Sequence, residues 1–216
     1  PKFRARQLTK WVHNKGVKDF AKMTDIQGSF RDYLSRKLGV HIPEIIRSTK
    51  SADGAEKWLF KLQSGEVVES VIIPEGGRTT ACVSSQVGCA VDCSFCATGH
   101  QGFSRNLSLG EMLGQVWAIN YLSNVGKVTN VVLMGMGEPL LNYSNLKEFL
   151  KYLLLDEAYG LSRRKVTVST SGIVPFIDRL RVDCPVSLAI SLHTANNELR
   201  NKLVPINRKY PLEQLM

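Results

Sequence analysis

The chain has 216 residues, of which 44% are hydrophobic, with no long low-complexity tract; it can bury a real core in one or two domains and reads as globular. Its most apolar runs, Val128 to Met134 and Val186 to Leu192, are far shorter than the roughly 20 residues that cross a bilayer, and no signal-peptide pattern opens the sequence, so the expectation is a cytoplasmic protein without a membrane segment. The net charge of +9 is concentrated, because residues 1–50 hold 12 of the 28 Lys/Arg but only 4 of the 19 Asp/Glu. Such a field attracts phosphate backbones, making the amino-terminal region a candidate for docking RNA or DNA; on charge alone, a solvated basic helical face explains it equally well.

Residues 3–38 read as short helices. Leu8, Trp11 and Val12 share a face, Gly16 can stop the first helix, and Ser29 can cap another that ends near Gly39. Lys57 to Leu62 and Glu66 to Ile73 are strand-like, and Gln63-Ser64-Gly65 between them suits a hairpin turn. From Thr79 the pattern alternates. Strands are expected at Thr79–Ser85, Val128–Met134, Lys165–Thr170 and Val186–Leu192, with helices at Leu109–Leu122, after Ser144, and at Val174–Arg181. Ser108 and Glu111 form a capping box for the first of these helices, which carries the apolar stripe Leu109, Met112, Leu113 and Val116. Apolar strands separated by amphipathic helices indicate a parallel sheet covered on both faces or a (β/α) barrel, whose ligands bind where the strands end. The division expected is a basic helical domain over residues 1–42, a β-hairpin linker over 43–78, and an α/β domain over 79–216.

Four motifs fall at or just beyond predicted strand ends: CAVDCSFC, GMGEP, STSG and SLH. In the first, Cys89, Cys93 and Cys96 space three thiolates along one loop. A cubane held by three cysteines leaves one iron open, and that iron can chelate the amino and carboxylate groups of S-adenosylmethionine (SAM). The rival is a structural zinc site, since His100 completes a Cys3His set. A disulfide framework fits poorly, with four of five cysteines between positions 82 and 96 and no secretory signal. In Gly135-Met136-Gly137-Glu138-Pro139 the glycines permit close backbone approach and Glu138 is an anion that could accept from an ammonium group; Leu140 stands where a dinucleotide fingerprint needs its third glycine.

The Cys-x3-Cys-x2-Cys spacing resembles the radical-SAM signature. The stretch TACVSSQVGCAVDCSFCATGHQGFSRNL, followed by GMGEPLLN, VTVSTSG and AISLH, resembles the RlmN family of radical-SAM adenine carbon-2 methyltransferases, and FRARQLTKWVHNKGVKDFAKMT resembles that family's accessory helical domain. The resemblance runs from about residue 3 to residue 210. It implies a radical-SAM partial barrel, with about four strand-helix units present of six. It also implies methylation of adenosine in 23S rRNA and tRNA, a 4Fe-4S cluster, SAM, and a reducing partner such as flavodoxin; the expected state is a monomer. By the same resemblance Cys89, Cys93 and Cys96 are the cluster ligands, and Gly137, Glu138, Ser169, Ser191, Leu192 and His193 contact SAM.

In the family's chemistry one SAM methylates a cysteine near the carboxyl end, and a second gives the radical that activates the methyl group for addition to adenine carbon 2. A second thiol then releases the adduct by forming a disulfide. Cys82 matches that resolving thiol and Glu69 the proton acceptor. Taken alone, Cys82 is a small apolar strand residue and Glu69 an outward-facing one. The sequence ends at Met216, before the position of the family's methyl-carrying cysteine and a further SAM-contacting asparagine, and Cys184 precedes the fourth strand and cannot replace that cysteine. The expectation is a fragment that binds cluster and SAM but does not complete methyl transfer. Carbon-8 adenosine methyltransferases share the cysteine logic and are the alternative within the class.

Overall fold

The computed structural model describes residues 2–216. The amino-terminal module comprises α1 (Lys2–Thr9), which runs into a π-helical turn at Lys10–Asn14, a 3-10 turn at Phe20–Lys22, and α2 (Gly28–Lys37). Phe20, Met23, Ile26 and Leu34 form its core, with Leu8, Trp11 and Val12 packed on it as their shared face predicts. The expected cap at Ser29 is not formed: α2 begins at Gly28, its N-cap is Gln27, and no side chain caps it.

Nine strands follow: β1 (Glu44–Lys50), β2 (Glu56–Lys61), β3 (Val67–Glu75), β4 (Arg78–Cys82), β5 (Gln86–Gly88), β6 (Phe103–Asn106), β7 (Asn130–Leu133), β8 (Val166–Thr170) and β9 (Ser187–Ile190). Seven form one sheet in the order β1-β2-β3-β4-β7-β8-β9, while β5 and β6 pair separately. The first four are antiparallel neighbours, and β4, β7, β8 and β9 run parallel. The expected hairpin is β2–β3, and it is continuous with the parallel sheet through β4. β1 was not anticipated, because six of its seven residues are exposed and it shows no apolar alternation.

Helices α4 (Leu109–Leu122), α5 (Tyr143–Leu154) and α6 (Val174–Asp183) connect the parallel strands; the four-residue α3 (Ala97–His100) precedes them, and α7 (Asn197–Leu203) and α8 (Leu212–Leu215) follow β9. One sheet face is sealed by these helices: Val68, Ile72, Ala81, Val131, Leu133, Val166 and Val168 are buried with Met112, Val116, Leu146, Phe149 and Leu150. Each of these side chains larger than alanine contributes roughly 1.5–3 kcal/mol by leaving water. The Ser108–Glu111 capping box is present as predicted.

One apolar stripe was expected on α4, but every residue from Met112 to Ile119 is buried. The amino-terminal module covers its far side. Trp117 Nε1 donates to Val12 O at 2.8 Å, and Tyr121 Oη donates to His13 O at 2.8 Å. His13 Nδ1 lies 3.2 Å from Tyr159 Oη, and burial pushes the imidazole down to about 4. Among the described residues no helix is long and apolar enough to cross a membrane.

Candidate functional site

The three clustered cysteines lie on a loop whose base is closed by the β5–β6 ladder. Gly88 is required there: its φ is +72°, and a Cβ would stand 1.7 Å from Gly102 O. Cys89 N donates to Gly102 O at 3.0 Å, Asp92 takes a left-handed φ of 54°, and Cys96 N donates to Cys93 O at 3.0 Å. Cys93 is buried with Val91 and Val204, Cys89 and Cys96 pack around them, and Ser94 N donates to Leu203 O of α7 at 3.1 Å.

Burial raises the Cys89 thiol and pushes Cys93 up to about 11, with the neighbouring sulfurs and Glu138 adding to both effects. Soft thiols whose anionic form is disfavoured by burial and crowding suit the cationic iron-sulfide core of a cluster, which would stabilise them as thiolates while leaving the thiolate-held centre anionic overall. All five cysteines are free. Among the described residues, no three of His, Cys, Asp or Glu converge on a position for a single metal ion, and His100 Nε2 is instead 3.0 Å from Ser94 O. His100 is thus held by the loop backbone, and the three loop cysteines are likewise not drawn together onto one small ion.

Beyond the carboxyl ends of β7, β8 and β9 lies a cleft of about 270 Å³, lined by residues including Met134, Gly137, Glu138, Ser169, Ser171 and Ser191. Gly137 has φ +98°, and a Cβ on it would meet Gln86 Cβ at 2.5 Å, so the backbone can close here only as glycine. Glu138 is buried. Its Oε1 accepts from Leu140 N at 3.1 Å and its Oε2 from Ser171 N at 2.7 Å, which ties the β7 loop to the β8 loop; burial raises its carboxyl above the usual range despite these bonds. Glu138 is thus already bonded within the protein, and only its spare lone pairs remain for a ligand. Ser169 and Ser191 bring their hydroxyls to 3.5 Å of each other.

Leu192 and His193, expected beside them, do not line the cleft. Leu192 O accepts from Arg200 Nε at 3.1 Å. His193, at φ 62°, packs its ring 4.3 Å from that of Phe95 in the cysteine loop.

Strand register places Cys82 and Glu69. Cys82 pairs with Val71 and Val132, and Val132 pairs with Thr167. Because side chains alternate with period 2, Glu69, Cys82, Thr167 and Ser169 share the sheet face opposite the helix-covered one. Cys82 is buried, which raises its thiol, and its sulfur lies against the backbone N–H of Met134 at the cleft. Glu69 is half-exposed and paired with Lys57 at 3.4 Å.

Sequence reasoning missed Gln86, whose Oε1 accepts from Glu138 N at 2.9 Å, and singled out Ser171 only as part of STSG without a role; Ser171 lines the cleft and donates its backbone N–H to Glu138. It also missed Arg200. Residues 83–216 match the family described as the Radical SAM superfamily. The chain belongs to the radical SAM superfamily. Residues 1–40 match the ribosomal RNA large subunit methyltransferase N-terminal domain. The fold is similar to the crystal structure of a radical SAM methyltransferase from Sphaerobacter thermophilus, with TM-score 0.91 and 43% identity; the match covers 100% of this chain and 64% of that one. This chain thus spans less than two thirds of that protein's length.

Proposed function

We propose that this chain is the amino-terminal and catalytic-core portion of a radical-SAM RNA methyltransferase that acts on adenosine carbon 2 in 23S rRNA and tRNA through a methyl-cysteine intermediate. The observation that carries the proposal is the coupling of the polar cleft to the cysteine loop: Ser171 lines the cleft, binds Glu138 through its backbone N and takes Arg200 of α7 on its carbonyl, and the cysteine loop is tied to the same helix by Ser94 N and Leu203 O. Cys89, Cys93 and Cys96 would hold the cluster, which when bound supplies the electron for reductive cleavage of SAM. Gly137, Glu138, Ser169 and Ser191 would hold and orient SAM in the cleft.

Cys82 and Glu69 open toward the same space from adjacent strands. The Cys82 thiol, raised by burial, is held protonated and would have to give up that proton to act as the resolving thiolate. Glu69 is the candidate proton acceptor. RNA would dock on the amino-terminal module, where Lys10 is exposed; Arg4 lies over the Phe30 ring at 4.7 Å, Lys15 over Trp11 at 3.5 Å, and Arg6 pairs loosely with Glu157 at 3.7 Å. Cations resting on aromatic faces remain available to phosphate at little cost.

Mass spectrometry of nucleosides after incubating the full-length enzyme with RNA, SAM and reductant tests the proposal. It expects 2-methyladenosine; 8-methyladenosine, or no modified base from a cluster-loaded enzyme, would overturn it.

A further inference from the structure

Arg200 is fully buried, and every partner it has is neutral. Its Nε donates to Leu192 O at 3.1 Å, one terminal nitrogen to Asn207 Oδ1 at 2.6 Å, and the other to Ser171 O at 2.8 Å and Ser191 O at 3.3 Å. No carboxylate pairs with it among the described residues. Four hydrogen bonds satisfy the fork, but they do not neutralise its charge. A buried guanidinium without an anion carries a desolvation penalty that neutral partners do not cancel, and an arriving counter-charge would offset it.

The candidate anion is next to it. Arg200 projects from α7, the helix on which the cysteine loop sits through Ser94 N and Leu203 O and through Cys93 packed on Val204. Ser171 links Arg200 to the cleft: its carbonyl takes the guanidinium and its backbone N donates to Glu138 Oε2.

We infer that Arg200 is the resident counter-cation of the thiolate-held centre, a positioning residue that fixes the Ser171 and Ser191 carbonyls beside the cleft and the Leu192 carbonyl behind them, and biases the cluster toward its reduced form. This rests on the cluster reading proposed above. A cluster bound by three thiolates gains negative charge on reduction, so a nearby fixed cation raises its potential, and removing that cation lowers it.

The test compares Arg200→Gln with Arg200→Lys in the full-length protein loaded anaerobically with cluster. Both lose the bidentate fork and so share its structural cost, but only the first loses the charge. Redox titration followed by EPR should show Arg200→Gln shifted about tenfold toward the oxidised cluster, which is 59 mV for a one-electron couple, while Arg200→Lys stays near wild type. Thermal unfolding adds a second readout: cluster loading should raise the melting temperature of wild type and Arg200→Lys more than that of Arg200→Gln. Equal potentials and equal gains on loading in both variants, or failure of both to fold, would reduce Arg200 to a purely structural residue and overturn the inference. A wild-type protein that takes up no iron and sulfide would instead defeat the cluster reading itself.

Discussion

Gly137→Ala places a methyl group where the cleft backbone turns through φ +98° and where a Cβ would stand 2.5 Å from Gln86 Cβ. Holding an L-residue in that sparsely populated region costs about 1–3 kcal/mol, and forcing an extra methyl into a packed site costs about 1–3 kcal/mol more. Gln86 cannot simply withdraw, since its Oε1 accepts from Glu138 N and its Nε2 donates to Asn106 Oδ1 at 2.8 Å. A loss of about 3 kcal/mol or more is therefore expected, together with weaker SAM binding as Glu138 is displaced. Urea denaturation of the apo protein measures the first effect and equilibrium dialysis of SAM on the loaded protein the second. Gly110→Ala is the control: it lies in the first turn of α4 with nothing within 4 Å of an added Cβ, and it should leave stability unchanged or raise it by up to about 1 kcal/mol. If Gly137→Ala unfolds at the same urea concentration as Gly110→Ala, the steric reasoning is wrong.

His13, with its imidazole pushed down to about 4 by burial, binds its proton more readily in the unfolded chain, whose ordinary value is near 6.5. Stability should therefore fall as pH drops from 6.5 toward 4, by roughly 3 kcal/mol at this site; His13→Phe should flatten that slope in urea titrations at pH 4.5 and 7, and an unchanged slope would reject the assignment. Ser108→Ala removes the capping box of α4 and should cost about 1 kcal/mol in the same assay, with no change in SAM affinity.

What the sequence showed depended on whether the deciding interaction was local. The α4 capping box needs only Ser108 and Glu111, and the parallel strands announce themselves as apolar runs, so these were read to within a few residues. β1 escaped because its pairing with β2 does not bury an alternating face. α4 was read as one-sided because its second covering surface comes from residues a hundred positions earlier, through Val12 and His13. The cysteine spacing and the cleft glycines were legible for the same local reason. Arg200 was not, since a lone arginine in a short helix looks solvated until the fold brings Ser171, Ser191 and Leu192 around it. Glu138 was read as an anion able to accept from an ammonium group, and the structure adds backbone amides from two loops that already bind it.

The central claim is that Cys89, Cys93 and Cys96 hold an iron-sulfur cluster beside the cleft. Anaerobic reconstitution followed by iron, sulfide and zinc analysis of the wild type and of each single Cys→Ala variant tests it most directly. The account predicts about four irons and four sulfides per wild-type chain, lost in all three variants and retained in Cys184→Ala. Stoichiometric zinc without sulfide, or iron that survives substitution of Cys93, would contradict it.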